Sequence, residues 1–438
     1  MAILISGGTI VTAPLEGRFE AGAVLIEGDR IGWVGARVSA PSSEVIDASG
    51  CWVLPGLIDA HTHLYSALAA GMPLKDESPH DFAQVLQRIW WRLDRALGPE
   101  DVRYSGYVGG LASLCHGVTT LFDHHASPNC TVGSLDILAD VLQELGLRAS
   151  LAYEVSDREG PASRDLAIEE NYRFFQRCRA SGSPFLKAHF GLHAVFTLSD
   201  ETLRRCAEIG RAIGAGFHLH VLEHRAERLK FEAEHEGRSV VDLLADAGIL
   251  SSDSIAAHVV HVTPADAQRL AQSGALAVHN PQSNMGNGVG IAPIGMLLDA
   301  GVRLGLGTDG YYDLPQQVLA TPLLQKLGQC DPSALGVGDA LAMVYGRNAD
   351  LATQAFGLPF GRVAPGYAAD LLVIPYDPAT PVNAGNLSTH IAAALAIGPR
   401  HVLVGGKVRL WNGQVPGVDW ARVKASAREL AAQLWQRL

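Results

Sequence analysis

From about residue 56 to residue 356, short apolar runs alternate with longer amphipathic stretches, and few architectures accept that pattern. PGLIDAHTH, VTTLFDHH, RASLAYEV, FLKAHFGLHAVF, GAGFHLHV, DSIAAHVVHV, GALAVHN and VRLGLGTDG read as strands. LDILADVLQELG and SDETLRRCAEIGRAIG, lying between them, read as helices. The second of these opens on Ser199, whose hydroxyl can cap a first turn. Strand and helix alternating through eight units predict an α/β fold, a (β/α)8 TIM barrel. A doubly wound sheet is the alternative, but it calls for a nucleotide-type glycine fingerprint, which the sequence lacks.

The two ends of the chain differ in texture. Residues 1–55 break into short strands around Gly28-Asp29 and Ser49-Gly50. Residues 357–420 revert to the same texture, with Gly405-Gly406 as a hairpin signal. These pieces are expected to fold together as one small β-sandwich, with a distorted barrel, residues 56–356, inserted between them. Residues 421–438 read as an amphipathic helix packed on the outside.

A length of 438 residues suits such a barrel plus an accessory domain. A hydrophobic share of 48% against 18% charged supplies a large core. The net charge of −11 argues against a nucleic-acid or anionic-membrane partner. The first residues, MAILISGGTIV, carry no Lys or Arg ahead of their apolar run, unlike a secretory signal. No apolar run is long enough to cross a bilayer. The six cysteines are scattered, with no CxxC pair, which fits a reduced, cytoplasmic setting.

Barrels place their chemistry at the C-terminal ends of the strands. The first strand ends in His61 and His63, which share a face because strand side chains alternate. The fifth ends in His218 and His220, with Glu223 three residues on. The sixth ends in His258 and His261, the eighth in Asp309. Three neutral imidazoles and one carboxylate from such a set suit Zn²⁺ or Fe²⁺ and leave a position for water. The ion lowers the pKa of that water towards about 7. Glu223 leaves the strand just after His220 and is placed to carry a proton.

His61-x-His63, His220-x-x-Glu223, His258 and Asp309, in this order, resemble the amidohydrolase superfamily, and the HxxE resembles its deaminase and triazine hydrolase branch. LYSALAAGMP, WWRLDRAL, DHHASP, HAVFT, VHNPQSNMGNGVG and GLGTDG are similar to the SsnA aminohydrolase group. The resemblance implies one divalent metal ion, Zn²⁺ ahead of Fe²⁺, on His61, His63, His220 and Asp309, and no organic cofactor. It implies that Asp309 takes a proton from metal-bound water, that Glu223 passes protons to the substrate and the leaving ammonia, and that His258 holds the water and polarises the carbon. It places His193, Ser283 and Asn284 against substrate. Tyr65, two residues beyond His63 on the same face, is a further candidate.

The expected reaction is hydrolytic deamination of a small planar N-heterocycle of purine, pyrimidine, pterin or triazine type. Opening of a cyclic amide, such as an imidazolone or hydantoin, and a catalytically silent scaffold are the alternatives. Many members of that family are dimers, so the resemblance leaves a homo-oligomer, a dimer, open. Lys187 shares parity with His193 but lies six residues earlier, towards the other end of the barrel, which favours one metal over two. His218 is expected to orient a ligand from behind. His124, His125, His261, Trp90, Trp91, Tyr311 and Tyr312 are further candidates for the pocket wall.

Overall fold

The computed structural model of the protein describes residues 2–36 and 44–438; Met1 and residues 37–43, within the first β segment, lie outside them. The chain opens with β1 (Ala2–Ala13), β2 (Arg18–Glu27), β3 (Arg30–Gly35), β4 (Glu44–Asp47) and β5 (Cys51–Pro55). β1 pairs antiparallel with β2 and parallel with β4 and β5. Gly28-Asp29 makes the turn between β2 and β3, and Gly28 has the positive φ, 67°, that glycine adopts without strain.

The barrel strands follow: β6 (Leu57–Thr62), β7 (Val118–His125), β8 (Arg148–Tyr153), β9 (Leu186–Ala188), β10 (Phe190–Ala194), β11 (Phe217–Val221), β12 (Ile255–His258), β13 (Leu276–His279) and β14 (Arg303–Leu306). All their pairings are parallel. β9 and β10 are one strand broken at His189: the first half pairs with β8, the second with β11. Two isolated bridges, Val155 to Leu192 and Thr62 to Asp309, join the two resulting sheets into a closed but distorted barrel. Nearly every strand residue is buried on both faces, as parallel strands covered by helices require. The helix Asp200–Ile213 starts where Ser199 accepts a hydrogen bond from Thr202 N, 3.3 Å, and stops at Gly214, φ 73°.

After the barrel come β15 (Leu371–Pro375), β16 (His401–Val404) and β17 (Lys407–Trp411). β15 pairs with β5, so strands from both termini form one sheet in the order β17-β16-β15-β5-β1-β2-β3, with β4 beside β1. That sheet wraps a core of its own, including Ile5, Val24, Ile31, Val53, Leu371 and Leu403. A helix, Leu387–Ile397, interrupts it between β15 and β16 and packs on barrel helices. The strand-like texture of 357–420 had hidden this helix. Its residues are apolar nearly all round, so no amphipathic stripe marks it. The last helix, Trp420–Arg437, lies across the helix Pro99–Cys115, and Trp435 Nε1 donates to Leu68 O at 2.9 Å. Barrel and sheet are tied by a buried ion pair, Arg148 Nε to Asp370 Oδ2 at 3.1 Å.

Candidate active site

A cavity of about 190 Å³ opens at the C-terminal ends of the barrel strands, lined among others by His63, His193, His220, Glu223, His258 and Asp309. Local sequence explains how the ends converge. Gly307 runs so close to β6 that a Cβ there would sit 2.8 Å from His61 O and 2.5 Å from Asn280 Oδ1. That approach lets His61 O accept from both Thr308 N, 3.0 Å, and Asp309 N, 2.9 Å. Asp59 secures the seam: its carboxylate accepts from Thr308 N, 3.1 Å, and from Thr308 Oγ1, 2.5 Å. Asp309 is thereby held over the first strand, with φ at 55°, and His258 has φ 76°. Left-handed backbone at two non-glycine residues in one site is strain that the surrounding hydrogen bonds enforce.

The imidazoles are fixed by their far nitrogens. His63 Nδ1 donates to His124 O, 2.6 Å, and His220 Nδ1 donates to His193 O, 2.9 Å. Both rings are neutral, because burial holds His63 below and His220 well below the usual imidazole range. Their Nε2 lone pairs then face each other at 3.1 Å. Two lone pairs at that distance repel, and a cation between them relieves it. His61 Nδ1 contacts His218 Nε2 at 2.8 Å, and His61 Nε2 is buried with no partner. Ligand atoms of His61, His63, His124 and His220 lie within 4.8 Å of one another, as do those of His61, His258 and Asp309. Neutral, converging nitrogens beside a carboxylate fit a divalent ion of the zinc type.

Beside this cluster, His258 Nδ1 meets Asn284 Oδ1 at 2.9 Å, which directs Nε2 into the cavity. Nε2 lies 3.5 Å from Asp309 Oδ2 and 3.7 Å from Glu223 Oε2. Burial pushes the Glu223 carboxyl up to about 7. A carboxyl poised near neutrality can both give and take a proton.

The model of the amidohydrolase family matches residues 52–409. The chain belongs to the amidohydrolase family. It is a hydrolase of carbon–nitrogen bonds other than peptide bonds. A 5'-deoxyadenosine deaminase of Methanosarcina mazei is 30% identical over 443 residues, covering 100% of this chain and 99% of that protein. A 5-methylthioadenosine/S-adenosylhomocysteine deaminase of Pyrococcus abyssi is 31% identical over 434 residues, covering 97% of each. Among solved structures, an adenosine deaminase from Xanthomonas campestris with bound zinc superposes with a TM-score of 0.85 at 24% identity, over 99% of this chain and 98% of that one. The zinc complex of an atrazine chlorohydrolase from Arthrobacter aurescens gives 0.80 at 23% identity, over 98% and 100%.

In this amidohydrolase, Tyr65, His193 and Ser283 line the cavity, as do Trp90, Trp91, Tyr311 and Tyr312. Asn284, expected against substrate, lies one layer back, fully buried behind His258; Asn287, one helical turn on, takes the place at the cavity wall. His218 sits behind His61. Lys187 lines a separate cavity with His189 and Asp253, in the half of β9–β10 remote from His193. His261 turns to Val289 O, and His125 to Ser127 Oγ, each away from the cavity wall. His124 is buried within the imidazole cluster, its ring stacked on that of His218 at 4.6 Å.

Sequence reasoning passed over Glu154, Asp94 and Glu227, which are buried and line the cavity. Glu154 follows the third barrel strand directly, so the strand-end rule that found the histidines also points to it. Asp94 and Glu227 lie on helices and give no such signal. Among the described residues, no helix is long and apolar enough to cross a membrane.

Proposed function

We propose that this amidohydrolase hydrolytically removes an exocyclic amine from a small planar N-heterocycle, using one divalent ion, Zn²⁺, held by His61, His63, His220 and Asp309. The observation that carries this reading is the pair of Nε2 atoms of His63 and His220 facing at 3.1 Å beside Asp309, Glu223 and His258. The deaminase names of relatives spanning the full chain support it, as does the zinc bound in two proteins of the same fold.

Bound at these residues, the ion supplies Lewis acidity that makes water a nucleophile near neutral pH. Asp309 takes the first proton from the water. His258, turned by its Nδ1 contact with Asn284 Oδ1, holds the attacking water at Nε2 beside the carbon under attack. Glu223 protonates the ring nitrogen and then the departing amine. Across the reaction one water is consumed: its oxygen ends on carbon, its two hydrogens pass on, and the carbon–nitrogen bond breaks to release ammonia. Lys187, in another cavity, takes no part, so one ion suffices.

An ammonia-release screen of the zinc-loaded protein against amino-purines, -pyrimidines, -pterins and -triazines tests the reading. At least one is expected to yield ammonia with its ring intact. Glu223→Gln is expected to keep its zinc and lose about 10²–10⁴-fold in turnover. Ring-opened product, or a Gln variant with wild-type rate, overturns the proposal.

A further inference from the structure

One cavity wall, beside the imidazole cluster, holds buried polar atoms without hydrogen-bond partners. Glu154 is 5% exposed and its Oε1 has no hydrogen-bond partner. Oε1 lies 3.6 Å from His63 Nδ1, which already donates to His124 O, and 3.4 Å from His124 Nδ1, with a hydrogen bond to neither. Asp94, 2% exposed, accepts from Arg158 through Oδ2 at 3.1 Å and leaves Oδ1 unpartnered. His193 Nδ1 meets Thr197 Oγ1 at 2.9 Å, and the Thr197 hydroxyl itself donates to Ala194 O. Neutral His193 therefore donates through Nδ1 and offers Nε2 as an acceptor, 3.8 Å from Glu154 Oε2. Trp91 Nε1, a donor that lines the same cavity, is also without a partner.

Unsatisfied buried polar groups are rare, and several together facing one cavity call for a ligand. These three are acceptors, so the ligand presents hydrogens to them. Glu154 keeps an accepting oxygen whether ionised or protonated. Glu223, His258 and Asp309 lie at the ends of β11, β12 and β14, whereas Glu154 and His193 come from the end of β8 and from β10, the neighbour of β11, and all five line the same cavity. At about 190 Å³ the cavity falls below the roughly 300–1,000 Å³ of drug-sized sites.

We propose that Glu154, Asp94 and His193 bind a ring N–H edge of the substrate, and that the enzyme therefore takes free heterocyclic bases and rejects their N-glycosides. This rests on the deaminase reading above and narrows its substrate class. A sugar on the ring nitrogen removes the hydrogen that the acceptors need and sets bulk against a buried wall. Leaving those acceptors unpaired carries a large penalty, so discrimination is strong. The curated relatives named for deoxyadenosine act on nucleosides by name; this chain is expected to differ from them.

The test compares adenine, guanine and cytosine with adenosine, guanosine and cytidine on zinc-loaded full-length protein. Ammonia release gives kcat/KM, and titration calorimetry gives binding of the deaminated bases and nucleosides. At least one free base is expected to exceed its nucleoside by about 100-fold or more in kcat/KM. Glu154→Leu is expected to raise KM for that base by about 10–100-fold with zinc content unchanged. Glu154→Gln, which keeps one acceptor and the shape, is expected to fall between. Nucleosides handled as well as bases, or an unchanged KM in the Leu and Gln variants, overturns the inference. If no compound releases ammonia, the deaminase reading fails. Calorimetry still decides this inference: tighter binding of base than nucleoside upholds it, and equal or weaker binding overturns it.

Discussion

At the scale of single residues, each imidazole in this site is oriented by a neighbour that never meets the ion. His63 and His220 are turned by main-chain carbonyls, which no side-chain substitution removes. His61 depends on a side chain, His218, at 2.8 Å. His218→Phe keeps the ring volume and deletes that partner. Zinc affinity is expected to drop about 10–100-fold, measured by competition with a chelator of known affinity. Lys187→Ala makes the opposite prediction. Metal content is expected to stay at one ion per chain by elemental analysis, and turnover to stay near wild type, because Lys187 faces another cavity. A fall from two ions to one would refute the mononuclear site.

At the scale of elements, the strand ends combine strain with buried charge. Asp123, near the end of β7, accepts from Leu64 N at 2.7 Å through Oδ1, while Oδ2 has no partner. Burial pushes its carboxyl from 3.8 up to about 8. A folded value above the unfolded one means the protonated form is favoured by folding. Its contribution is complete below about 3.8 and is lost as pH rises through about 8. Asp123→Asn keeps an accepting oxygen and does not titrate. The melting temperature of the variant minus that of wild type is therefore expected to increase steadily between pH 4 and pH 8; a flat difference would show that Asp123 stays ionised or solvated. Elsewhere local code and structure agree: Ser199 caps its helix and Gly28 makes its turn because both act within a few residues.

At the scale of the whole molecule, the terminal sheet and the barrel meet through Arg148 and Asp370. Both are almost fully buried, and Asp370 Oδ1 also accepts from Gly405 N at 2.7 Å. Removing one partner leaves the other charged in the core. Asp370→Ala is expected to lower unfolding free energy by about 3–5 kcal/mol in urea titration. The site lies at the opposite strand ends from this pair, so zinc content is expected to persist. A loss under about 1 kcal/mol would mean that Arg148 finds another partner or water.

Periodicity and strand-end residues determined a great deal by themselves. The alternation of strands and helices indicated the barrel, and the His, Glu and Asp at strand ends marked His61, His63, His220, Glu223, His258 and Asp309, because a barrel sends all its strand ends to one rim. Tertiary structure alone decided the rest. It broke the fourth strand at His189, where β9 and β10 take different partners. It moved Asn284 behind His258, and it gathered Asp94, Glu154 and His193 from three separate segments into one wall. The reason is physical: alternation and capping act over a few residues, whereas which atom faces which across a cavity depends on how distant segments pack, and no local pattern encodes that distance.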